Sequence, residues 1–121
     1  MLHRLVLCSI VTFSVAAPAL AAPLPKPAAF GICSACHKVE KGAPNSIGPN
    51  LYGIGNTKAG EVPGFAFSPA MKNSKVKWTR INLIAFIQEP QKTVPGTRMP
   101  FGGLKNPASA AAIADYILSL K

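Results

Sequence analysis

Five residues, Cys33-Ser34-Ala35-Cys36-His37, limit what this chain can become more than any other stretch. Two thiols stand two residues apart, and an imidazole follows at once. Such a C-x-x-C pair can be a redox dithiol, half of a zinc site, or the anchor of a c-type haem. The added histidine gives the third pattern. Two thiols add across the two vinyl groups of one haem, and the adjacent imidazole reaches the iron as an axial ligand. A four-ligand zinc site needs a second ligand pair, and no Cys or His follows His37. A thioredoxin-like dithiol wants a βαβ context, and the chain carries no alternating strand pattern. Covalent haem is the favoured reading, with a dithiol as its alternative.

The first 21 of the 121 residues read as a cleaved secretory signal. His3 and Arg4 give a basic start, Leu5 to Val15 an apolar run, and Ala19-Leu20-Ala21 a small-x-small cleavage site. Cutting after Ala21 is preferred, because a cut one residue later would leave Pro23 next in line as the new N-terminus. The apolar run is too short to span a bilayer comfortably, and Pro18 interrupts its end. Stable membrane insertion is therefore not expected. Cys8 and His3 leave with the signal, so Cys33 and Cys36 become the only cysteines of the mature chain and His37 its only histidine.

The full chain has 13 Lys+Arg against 4 Asp+Glu, a net charge of +9, and loss of Arg4 leaves +8. Such a field favours acidic partners and fast, salt-sensitive encounters. Nucleic acid is not expected, since there is no Lys/Arg run, no nucleic-acid motif, and an export signal. About a hundred mature residues make a marginal core. A large apolar cofactor fixed to the chain would add the burial that the core lacks.

The expected fold class is all-α, with about three main helices and long loops. Pro23, Pro25 and Pro27 make residues 22–27 an extended lead-in. Pro27 then opens a short helix through Phe30 into the motif. Residues 38–60 are loop, punctuated by Gly42, Pro44, Gly48, Pro49, Gly53 and Gly55. A loop this long is reasonable if it wraps a cofactor. Pro69 to Asn73 suggests one helical turn. Thr79 caps a well-buried helix to about Glu89, where Pro90 stops it, and residues 91–103 are loop again. Asn106 caps a last helix to about Leu120, with an apolar stripe at Ile113, Tyr116, Ile117 and Leu120.

An electron-transfer haem wants a second axial ligand, and methionine suits it because a thioether raises the potential. Met71 and Met99 remain candidates. Met99 lies in a stiff Pro/Gly loop, while Met71 reads better as an apolar filler.

Residues 30–121 resemble a class I cytochrome c of the mitochondrial and soluble bacterial type. The matching motifs are Cys33 to His37, Gly48-Pro49-Asn50-Leu51-Tyr52-Gly53, Pro63-Gly64-Phe65, Lys72-Asn73-Ser74 with Trp78, Pro95 to Phe101, and the last helix with Tyr116. The resemblance implies one haem c held by Cys33 and Cys36, with His37 and Met99 on the iron. It implies that the Pro49 carbonyl accepts the His37 ring N–H, and that Trp78 hydrogen-bonds a propionate. Thr97 would lie near the methionine and a propionate, and Phe101 beside the exposed haem edge. Domain limits of 1–21 for the signal and 22–121 for the cytochrome domain follow. So does a monomeric periplasmic electron carrier docking on acidic faces of redox proteins, such as quinol–cytochrome c reductase and a terminal oxidase or reaction centre.

The chain departs from the family's pattern at several places. Thr57 replaces a common arginine, and Phe67 and Phe86 replace common tyrosines. Ile32, Ser46 and Gln91 fall where lysines are typical, leaving Lys38, Lys92, Arg98 and Lys105 around the edge. Two alternatives stand against the carrier. A haem peroxidase or ligand-binding sensor needs a labile sixth position and a distal acid or base, for which no second histidine survives processing. A structural haem subunit of a larger complex would not occur as a free monomer.

Overall fold

The computed structural model describes residues 10–121, so His3, Arg4 and Cys8 of the expected signal lie outside the described residues. Residues 10–26 form no regular element, and Ile10, Val11, Phe13, Val15 and Leu20 all stand exposed. The Leu24 amide donates to the Ser119 hydroxyl at 2.9 Å, which ties this lead-in to the last helix.

A 3-10 turn, Ala28–Phe30, runs directly into α1, Gly31–Ser34. Pro27 is the residue before that turn, not its first residue, and holds an extended conformation there. Then follow α2 (Pro69–Asn73), α3 (Arg80–Gln88), α4 (Pro90–Thr93) and α5 (Pro107–Ser119). Of the main helices expected, α3 and α5 are long, and the N-terminal one is a single turn. Among the described residues there is no strand beyond one antiparallel bridge, Lys58 with Lys77.

Local chemistry explains where these helices begin. Ser68, Thr79 and Asn106 each accept, through the side chain, the backbone N–H three residues on. That satisfies one of the donors a helix start leaves free. Pro69 and Pro107 then occupy first-turn positions, where a missing N–H costs nothing. Pro90 corrects the expectation of a loop from residue 91. It does end α3, because its ring cannot continue the ladder. The same fixed φ starts a new turn, and Glu89 swings the chain between the two with φ −145° and ψ 75°.

α5 packs against α3, and Phe30 of the N-terminal turn packs against α5. Phe30 and Ile113 are both 0% exposed. The Phe30 ring meets Tyr116 edge-on, with centroids 5.0 Å apart at 75°. The expected stripe of Ile113, Tyr116, Ile117 and Leu120 is buried throughout. The face of α3 is narrower than its apolar content suggested. Leu83, Phe86 and Ile87 are buried, but Ile81 is 78% exposed in the first turn. Hydrophobicity alone does not say which side of a short helix meets a neighbour.

Candidate haem site

Between this helical corner and the loops lies a cavity of about 640 Å³. That is within the usual range for a cofactor site, roughly 300–1,000 Å³. Cys33, Cys36, His37 and Pro49 line this cavity, and so do Thr97, Met99 and Phe101. Trp78, Phe86 and Ile113 belong to the helical side. The structure therefore brings every candidate residue of the sequence reading to one cavity. It brings Met71 there as well, buried within α2.

The motif forms a tight coil. The amides of Cys36 and His37 both donate to the Cys33 carbonyl, at 3.1 and 2.9 Å. Two thiols and one imidazole are thus offered from a single turn. Cys33 and Cys36 are free and half-buried. Burial pushes the Cys33 thiol above its ordinary pKa, and the neighbouring Cys36 adds to that. Among the described residues no cluster of three or more His, Cys, Asp and Glu side chains is placed to hold a metal. The donor set in the cavity is instead thiol, imidazole and thioether around apolar walls, which suits a macrocycle carrying its own iron.

The Pro49 carbonyl lies 2.7 Å from His37 Nδ1. A carbonyl only accepts, so Nδ1 carries the proton and Nε2 keeps its lone pair. Burial lowers the His37 pKa, and the Pro49 contact raises it by less, so the neutral ring is favoured. Gly48 is what lets the ring lie there. A Cβ at residue 48 would come 2.5 Å from His37 Cε1. The Gly48 amide also donates to the Cys36 carbonyl at 2.9 Å, fastening the loop to the motif.

Asn50 was singled out only as part of a motif, yet it holds this loop together. Its side-chain nitrogen donates to the carbonyls of Glu40 (2.8 Å) and Ala43 (3.0 Å). Its side-chain oxygen accepts from the Tyr52 amide at 3.0 Å. Asn45 adds to the brace, accepting from the Asn50 amide at 2.9 Å and donating to the Pro63 carbonyl at 3.0 Å. These bonds replace the ladder that a helix or strand would provide. The only advance signal was asparagine within a Gly/Pro-rich run, a habit of turn-forming side chains.

The segment that carries Met99 is tied differently. Gln91, noted in the sequence as a missing lysine, donates from Nε2 to the Thr97 carbonyl at 2.7 Å. Its Oε1 accepts the Gly96 amide at 3.2 Å. Arg98 reaches the Ala66 carbonyl at 3.1 Å, and the Leu104 amide reaches Ile87 at 2.9 Å. Gly103, with φ +104°, sits where a Cβ would be 2.0 Å from the Gln88 carbonyl oxygen. Trp78, Thr97 and Ser68 are buried polar-tipped side chains at the cavity, Trp78 packing on Phe86 with centroids 4.9 Å apart. Of the edge cations, Lys92 and Lys105 both pair with Glu89, at 3.2 and 3.6 Å.

A family profile described as Cytochrome c matches residues 28–121. The chain is 47% identical over 89 residues to a cytochrome c2 of Rhodoblastus acidophilus, covering 74% of this chain and 83% of that one. It is 45% identical over 94 residues to cytochrome c2 iso-2 of Magnetospirillum fulvum, covering 78% and 97%. Among solved structures, cytochrome cH from Methylobacterium extorquens superposes with a TM-score of 0.68 at 42% identity, covering 74% of this chain and 89% of that one.

Proposed function

The chain belongs to the cytochrome c family, and from that membership we propose that it is a periplasmic one-electron carrier in which His37 and Met99 would hold the haem iron. The family consists of electron-transfer proteins carrying covalent haem c, not of enzymes, and this chain is an electron carrier. When bound, the haem supplies a one-electron couple at its iron.

The remaining roles fall to the chain. Cys33 and Cys36 hold the group through two thioethers. His37 ligates through Nε2, with Pro49 fixing its tautomer and orientation. Met99, which also lines the cavity, would offer its thioether to the iron. Trp78 and Thr97 would serve the propionates, and Phe101 would lie beside the haem edge. The observation that carries this reading is the 2.7 Å contact between His37 Nδ1 and Pro49 at a cavity that Met99 also lines.

Residues 1–21 act as the cleaved signal and 22–121 as the mature protein. The exposure of Ile10, Val11, Phe13, Val15 and Leu20 supports this, since a folded domain has no use for such a segment. None of the described helices is long and apolar enough to cross a membrane. The partners are acidic faces of redox proteins such as quinol–cytochrome c reductase and a terminal oxidase or reaction centre, met by the basic mature chain. A pyridine haemochrome assay and a ferric spectrum test the site. Covalent haem is expected, with the weak long-wavelength ferric band of a methionine–iron bond. Met99→Ala abolishes that band and Met71→Ala keeps it; the reverse would overturn the assignment.

A further inference from the structure

Gln91 sits exposed at the second position of α4, just outside the cavity, yet both polar atoms of its side chain bond back to the chain. The amide group closes a ring over residues 91–97. Nε2 donates to the Thr97 carbonyl at 2.7 Å, and Oε1 accepts from Gly96 at 3.2 Å. The orientation of the amide is fixed by this pair of partners, since a carbonyl oxygen can only accept and an N–H can only donate. Turning the amide over would break both bonds.

The clamp grips the turn that leads into Met99. The Thr97 amide bonds to Val94 at 3.0 Å, and Thr97 Oγ1 accepts from the Met99 amide at 3.5 Å. Pro90, which begins α4, is fully buried, so the clamp is built on a fixed base. A lysine, the side chain typical at this position, could donate to Thr97 but has no acceptor for Gly96. Exchanging it for glutamine removes a cation from the docking rim and gains a two-sided tie on the loop.

We propose that Gln91 is a positioning residue for Met99, holding the 94–99 turn so that the thioether resists displacement from the iron. This rests on Met99 as the sixth ligand. A loop held at two extra points loses less conformational freedom when the ligand bond forms and opens less often once it has.

The test uses the ferric holoprotein with imidazole as the competing ligand. Gln91→Ala should let imidazole bind about tenfold more tightly, in line with the net worth of such hydrogen bonds. The long-wavelength band should weaken, and the Gly96 amide should exchange about tenfold faster. Gln91→Lys keeps the donor alone and should fall between. Gln88→Ala removes another amide, one bonded to the Lys105 carbonyl at 3.3 Å, and should leave imidazole binding unchanged. Wild-type imidazole affinity and Gly96 exchange in Gln91→Ala would overturn the proposal, as would an equal response from Gln88→Ala. A wild-type protein without the methionine band fails the ligand assignment instead, and Gly96 exchange alone then decides whether the clamp exists.

Discussion

The two sides of the cavity are made by different physics. On the helical side, Phe30, α3 and α5 interlock through apolar surface, and Ile113, Ala110 and Ala114 are sealed from solvent. Such contacts are non-directional and many. On the loop side, residues 38–67 and 94–104 have almost no ladder of their own. They keep their shape through scattered backbone bonds and through single side chains bonded to backbone, among them Asn45, Asn50, Gln91 and Arg98. Burial makes one half a core. The other half is a frame, stiff at its ties and short of apolar partners wherever it faces the cavity. The difference shows what a large apolar cofactor contributes to a small domain: it is the surface against which the frame is pressed.

Removing the attachment should separate the halves most sharply. Cys33→Ala with Cys36→Ala abolishes covalent haem, and the variant is expected to lose its cooperative thermal transition, with amide protection vanishing first across residues 38–67 and 94–104. A sharp melt with those amides still protected would show that the loops hold themselves, and the contrast would fall. Phe30→Ala strikes the helical half. It should cost about 3–5 kcal/mol in denaturant unfolding, the range for deleting a buried phenylalanine. The haem spectrum should stay unchanged, because Phe30 packs on Tyr116 and does not line the cavity.

Asn50→Ala probes the frame by removing one multiply bonded side chain. A cost of about 1–3 kcal/mol is expected, with faster amide exchange at Tyr52, which bonds to the asparagine oxygen. The same loss without faster exchange would mean that the loop is not held by this side chain. The smallest effect should come from the exposed ion pair of Arg80 with Asp115, which joins α3 to α5 at 2.7 Å. The hydrogen bond from Arg80 holds the Asp115 carboxyl below its usual pKa. Its contribution is therefore present above the ordinary aspartate range and is lost as pH falls through the depressed value. Asp115→Asn should melt slightly lower than wild type at neutral pH and identically at strongly acid pH. A difference that persists into acid would assign it to packing.

The helical half was also the half that could be read from the sequence. The spacing of Ile113, Tyr116, Ile117 and Leu120 states a buried face, and Asn106-Pro107 states a helix start. These are local patterns, so one stretch carries the whole message. The motif at Cys33 to His37 is equally local. The ties of the frame are not. Gln91 reads as a lost charge until its partners are seen, and Asn45 means little without Pro63, eighteen residues away. Gly48 could be placed in a motif, but the ring that forbids its Cβ comes from another segment. Pro90 misled for a related reason: one fixed φ both stops a helix and starts one, and the turn at Glu89 decides between them.

The bond from Leu24 to Ser119 links positions 95 residues apart, and the Gly53 amide donates to Leu120 at 2.8 Å on the same closing stretch. Topologically the folded chain is a ring with a seam. Sewing the seam with a short linker and cutting the ring in an exposed loop should give a permuted molecule with the same core. It would also move the attachment motif from the beginning of the chain to its middle, separating the order of synthesis from the order of assembly.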